Sequence, residues 1–157
     1  MITVNEYVFD GNHETTKAIL ELMGQVCFKG KTVIDIGCGS GILTVKAHEL
    51  GAKYITAIDH DSRAVDNTQT NLELNGITNA KAVWVDFMET DLKADIILAN
   101  LPRESGAMCF PKMVSSLNDG GVIITSWFKE LPSNPLNELN IIKHFEGISY
   151  DVFLASR

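Results

Sequence analysis

The sequence predicts a doubly wound α/β fold, built on a seven-stranded, mostly parallel sheet with an antiparallel hairpin at its C-terminal end. Three observations predict it. Five short apolar runs alternate with helix-like segments from residue 32 to residue 127. Those runs are apolar almost throughout, as strands covered on both faces of a parallel sheet must be. The tail instead holds two strand-like segments around Gly147, the pattern of a hairpin.

The elements follow in order. Residues 14–27 (ETTKAILELMGQVC) read as an opening helix. Residues 32–36 (TVIDI) read as the first strand and 42–50 (ILTVKAHEL) as the helix after it. Residues 54–59 (YITAID) form the second strand. The next helix covers 62–75, with Asp61 or Ser62 as N-cap and Gly76 as the stop. Strands at 81–86 (KAVWVD), 95–99 (DIILA) and 121–127 (GVIITSW) complete the parallel set. A helix is expected within 104–118, started or broken by Pro111. Residues 131–137 (LPSNPLN) read as a loop, and 139–146 and 148–155 as the hairpin. Trp84 is expected in the core. No repeat or second domain shows, so residues 1–157 are read as one domain.

Composition bounds the function. The chain has 157 residues, 45% apolar and 21% charged, ordinary for a globular protein with one core. Its net charge of −7 and lack of a basic run disfavour a nucleic-acid partner. The start, MITVNEYVFD, lacks the basic and long apolar regions of a signal peptide. No apolar run is long enough to span a bilayer, so no membrane association and a cytoplasmic location are expected. Cys27, Cys38 and Cys109 are scattered and odd in number, which argues against a disulfide framework. No metal-ligand spacing appears among cysteines and histidines, and no metal is expected.

The segment Asp35-Ile36-Gly37-Cys38-Gly39-Ser40-Gly41 is the most informative. It joins a strand to a helix, the context in which glycines let the chain turn sharply and a ligand approach the backbone. The alternative is a turn made for packing alone. The third small residue of a dinucleotide fingerprint would fall at Ile42, so the spacing departs from that site. Gly30-Lys31-Thr32 imitates a phosphate loop, but position 25 is Gln25 and a strand follows. Asp35 sits where a cationic ligand group could be met, and S-adenosylmethionine is a nucleotide-like ligand of that kind.

Further candidates stand at strand ends. Asp59 closes the second strand, 24 positions after Asp35, near the offset of a ribose-binding acid. Its carboxylate can accept both ribose hydroxyls. Asp86 can accept from an adenine amino group and Phe87 can face the ring; a solvated strand-end acid is the alternative. Asn100-Leu101-Pro102 closes the fourth strand. Its side-chain oxygen and the next carbonyl can hold a substrate amine; an Asx-type turn before proline is the alternative. Thr15 and Thr16 begin the opening helix, where hydroxyls and free N–H groups suit a carboxylate or simply cap the helix. His13 lies just before them, a base if it faces the site.

These segments together resemble a class I S-adenosylmethionine-dependent methyltransferase, with a Rossmann-like fold. The nearest likeness is to the catalytic domain of ribosomal protein L11 methyltransferases. It is carried by residues 11–20 (GNHETTKAIL), 30–52, 57–76 and 94–102 (ADIILANLP), and it weakens after residue 128. The resemblance implies that Gly37, Gly39 and Gly41 line the cofactor's methionine portion with Asp35 nearby. It places Asp59 on the ribose, Asp86 and Phe87 on the adenine side, and Thr15 and Thr16 at the cofactor's carboxylate end. Asn100 would be the catalytic residue, beside the transferring methyl group. That family carries a further substrate-recruiting domain, for which this chain has no room.

Enzymes that methylate planar amines follow Asn-x-Pro with an aromatic residue. This chain has Arg103, which with Lys112 could instead pair with an acidic substrate group. The acceptor is therefore left open between a protein side chain and a small molecule, with nitrogen favoured as the acceptor atom. A partner subunit or homo-oligomer is also open. Two other functions compete: a non-catalytic S-adenosylmethionine-binding subunit and a nicotinamide-dependent oxidoreductase.

Overall fold

In the computed structural model, seven strands form one sheet in the order β3-β2-β1-β4-β5-β7-β6. The structure describes residues 1–5, 11–129, 139–147 and 150–157. The predicted loop at 131–137 and hairpin residues 148 and 149 lie outside these. Strands β1 (Thr32–Ile36), β2 (Tyr54–Asp59), β3 (Ala80–Trp84), β4 (Ala94–Ala99) and β5 (Leu117–Phe128) run parallel. β7 (Tyr150–Ser156) lies antiparallel between β5 and β6 (Asn140–Glu146). The doubly wound expectation and the antiparallel tail are both met.

The central strands are buried on both faces because their side chains alternate between two apolar layers. Ile34, Ile97, Ala99 and Ile123 face α4 (Arg103–Ser116), whose Cys109, Phe110, Met113 and Val114 pack on them. Val33, Ile96, Leu98 and Ile124 face α1 (Glu14–Met23) and α2 (Ile42–Glu49). Each large side chain so buried contributes roughly 1.5–3 kcal/mol. Leu72 of α3 (Ser62–Leu74) packs with Val45 of α2 and Ile77.

Several boundaries differ from expectation. α1 ends at Met23, because Gly24 and the turn after it bring Phe28 into the core. α4 runs through Pro111 without a break. The proline removes one backbone donor, but its neighbours Phe110, Met113 and Val114 are buried against the sheet and hold the helix on line. β5 starts earlier than predicted. Leu117 pairs with Ala94, and then the register slips so that Val122 pairs with Ile96, with Gly120 at φ 73° in the bulge. Trp84 corrects the core expectation: it is 69% exposed on edge strand β3, with its indole N–H donated to the His60 carbonyl. No helix among the described residues is long and apolar enough to cross a membrane.

Candidate active site

A crevice of about 420 Å³ opens beyond the carboxyl ends of β1, β2 and β4. This is the switch point of the sheet, where the connection from β1 runs one way to β2 and that from β4 the other way to β5, and a gap opens between them. Gly37, Gly39, Asp59, Asp86, Phe87 and Asn100 line it, so the topology gathers six of the predicted residues at one place.

The glycine loop is held from beneath. Gly37 and Cys38 donate their N–H groups to the Ile58 carbonyl at 2.8 and 3.0 Å. Gly37, Gly39 and Gly41 have φ of 71°, 53° and 80°, left-handed values that favour glycine. A Cβ on Gly37 would also overlap the Leu101 side chain, and one on Gly41 would lie 3.0 Å from Thr68 Cγ2. α3 fastens the loop from the side: Thr68 Oγ1 donates to the Gly39 carbonyl at 2.9 Å, and Asn71 Nδ2 to the Ser40 carbonyl at 2.7 Å. Burial pushes the Cys38 thiol well above its ordinary range.

Asp59 ends β2 with its carboxylate fixed by two backbone donors, Gly39 N–H at 3.2 Å and Asp61 N–H at 3.0 Å. One strand-end acid thus ties the glycine loop to the start of α3. Asp61 is the N-cap of α3 and pairs with Arg63 at 2.6 Å. Asp86 caps a 3-10 turn over Phe87–Glu89 by accepting from Met88 N–H, which seats the buried Phe87 ring against the crevice.

Asn100 lies at the end of β4 and donates from Nδ2 to Thr16 Oγ1 at 2.9 Å. With Nδ2 turned to α1, the amide's acceptor Oδ1 points the other way. Thr16 therefore has a protein partner, the catalytic candidate itself. Thr15 is buried and bonds His13 Nδ1, and neither threonine lines the crevice. His13 is the N-cap of α1, accepting from Thr15 N–H. Asp35 also stands behind the wall. It is fully buried and accepts from Thr44 Oγ1 of α2 at 2.6 Å. Burial pushes its carboxyl up to about 6; the Thr44 bond pulls down, and the Asp59 charge adds to the rise.

α4 supplies the wall that sequence reasoning missed. Ser105, Met108 and Cys109 line the crevice, spaced as one helix face. That i, i+3, i+4 spacing directly after Asn100-Leu101-Pro102 was the available signal. Lys112, one turn further, donates to the Met88 carbonyl and stands 5.8 Å from the Phe87 ring. Arg103 begins α4, is exposed and does not line the crevice.

Among known proteins, the profile of the ribosomal protein L11 methyltransferase (PrmA) family matches residues 10–130. A ribosomal protein L11 methyltransferase of Macrococcus caseolyticus is 37% identical over 150 residues, 94% of this chain and 46% of that protein. The crystal structure of a ribosomal protein L11 methylase from Lactobacillus delbrueckii subsp. bulgaricus superposes with a TM-score of 0.85 at 32% identity. That match covers 94% of this chain and 80% of the other. The N-methyltransferase NodS from Bradyrhizobium japonicum WM9, solved with S-adenosyl-l-homocysteine, shares the fold at a TM-score of 0.74 and 15% identity. It covers 93% of this chain and 89% of that one. The chain spans about half the length of the Macrococcus relative, or less in others. A profile match over most of the chain, and a relative this similar, place the crevice and its fold in one lineage: the chain belongs to the ribosomal protein L11 methyltransferase family.

Proposed function

We propose that residues 1–157 form one catalytic domain that transfers a methyl group from S-adenosylmethionine to an amine nitrogen of a protein. One observation carries the reading: Asp59 and Asn100 stand in a single crevice, with the glycine loop beside both. The residues suit that cofactor. Asp59 uses two backbone donors and retains lone pairs for a sugar's hydroxyls. Asp86 engages one oxygen in its cap, and Phe87 offers an apolar face. Among the described residues, three carboxylates and no lysine or arginine line the crevice, which favours a cationic ligand over the pyrophosphate of a dinucleotide.

Bound there, S-adenosylmethionine supplies a methyl group on a sulfonium whose leaving thioether is neutral, so no strong general acid is needed. The protein's part is alignment. Asn100 Oδ1 and the Leu101 carbonyl accept N–H bonds from the amine and aim its lone pair into the crevice. Asn100 cannot take the proton, which leaves through the open mouth to water. Leu101, Met108 and Phe87 narrow the space available to water. Alignment of this kind is worth roughly 7–11 kcal/mol of barrier.

A protein acceptor is favoured because the matched relatives are named for one, ribosomal protein L11. The test is transfer of labelled methyl from S-adenosylmethionine to that protein, beside calorimetry with S-adenosylhomocysteine. Asp59→Ala should lower affinity at least about tenfold with the fold intact; unchanged affinity removes the ribose role. Ligand binding without transfer to any protein amine favours a non-catalytic subunit. Thermal stabilisation by NAD alone favours the oxidoreductase.

A further inference from the structure

Helix α3 carries asparagines at 67 and 71 and a third, Asn75, as its C-cap, spaced four residues apart along one side. They grip the extended segment 1–5 by its backbone. Asn75 Oδ1 accepts from the Met1 nitrogen, and its Nδ2 donates to the Met1 carbonyl. Asn71 Oδ1 accepts from Thr3 N–H at 2.8 Å and from the Thr3 hydroxyl at 2.9 Å, and its Nδ2 donates to the Thr3 carbonyl at 2.7 Å. Asn67 Oδ1 accepts from Asn5 N–H at 2.7 Å, and its Nδ2 donates to the Thr3 carbonyl at 3.0 Å. The spacing works because four helical residues rise about 6 Å and two strand residues about 6.7 Å. The asparagines read residues 1, 3 and 5 in step.

Asn71 does more than hold the strap. It is fully buried, and its second Nδ2 hydrogen reaches the Ser40 carbonyl of the glycine loop at 2.7 Å. One turn earlier, Thr68 holds the neighbouring Gly39 carbonyl. An amide that bonds the strap with its oxygen and one hydrogen has its other hydrogen aimed by that engagement. With the strap absent, the Asn71 side chain loses three of its four bonds and is free to turn from Ser40.

We propose that Asn71 is a positioning residue, through which docking of residues 1–5 on α3 sets the shape of the glycine loop for its ligand. The inference rests on that crevice being the cofactor site, and the test separates the two. Thr3→Pro removes both donors that Asn71 Oδ1 accepts from the strap. Asn67→Ala loosens the strap at a position that does not touch the loop. Hydrogen exchange of the unliganded full chain is read at residues 37–41, where Gly37, Cys38 and Gly41 have bonded amides.

Both variants should raise exchange there at least about fivefold, while β1 and β4 keep wild-type protection. They should weaken S-adenosylhomocysteine about three- to tenfold and raise KM for S-adenosylmethionine with kcat little changed. Wild-type exchange at 37–41, with protection lost at Thr3 or Asn5, overturns the proposal. So does exchange raised equally across β1 and β4, which reports global stability only. Raised loop exchange in a protein whose wild type binds no S-adenosylhomocysteine upholds the coupling and overturns the cofactor reading instead.

Discussion

Asp35→Asn should change the pH dependence of stability in a calculable way. Asp35 is buried beneath the glycine loop with one hydroxyl partner, and its carboxyl is raised from 3.8 to about 6. In the unfolded chain it ionises near 3.8. Between these values the folded protein holds a proton that the unfolded chain has released. Stability from this group is complete below the unfolded value and is lost as pH rises through 6. Two units of difference correspond to about 3 kcal/mol, of which about 2 kcal/mol is lost between about pH 4.5 and about pH 8. No discount for solvent applies, because the group is fully buried. The asparagine carbonyl can still accept from Thr44, so the variant keeps the bond and loses the titration. Urea unfolding of both proteins across that range is the assay. The variant should gain on the wild type by about 2 kcal/mol from the acid to the alkaline end. Parallel profiles would refute the reasoning, since other titrating groups cancel in the difference.

Three more perturbations follow from the site and its walls. Thr16→Val removes the acceptor that orients Asn100 and should lower kcat roughly tenfold, with S-adenosylhomocysteine affinity nearly kept and Thr16→Ser restoring rate. A loss of affinity instead would return Thr16 to the cofactor. Gly41→Ala forces a side chain to φ 80° against Thr68 and should cost about 1–2 kcal/mol, read as a lower melting temperature; an unchanged melt contradicts it. Pro111→Ala restores a helical donor inside α4 and should stabilise by about 1 kcal/mol or more; destabilisation in urea would show that the ring packs better than the bond it removes.

The sheet was legible because burial on both faces leaves an apolar run at each central strand, and β1 and β2 fall at the predicted residues. Boundaries set by packing were less so. Pro111 reads locally as a breaker, and only the apolar layer beneath α4 keeps the helix going. Trp84 reads as core, but an edge strand has no neighbour on one side to cover it. At the site, strand-end position was legible: Asp59, Asp86, Phe87 and Asn100 line one crevice. Asp35 and Thr16 show the limit. Sequence gives their type and offset, but not the alternation that turns Asp35 toward α2, nor a bond across 84 residues. The asparagine ladder was equally hidden, since its partner is backbone and leaves no side-chain signature.

The antiparallel insertion of β7 has a consequence for assembly. Reversing direction carries Tyr150 to the end of the sheet where α1 begins, and there its hydroxyl donates to Glu14 and its ring meets His13. That clasp joins positions 136 apart, so it is among the last contacts of α1 to form as the chain is made, after those with β1, β4 and β5. The threonine that bonds Asn100 sits on that same helix, so the late clasp also braces the element that holds the end of β4.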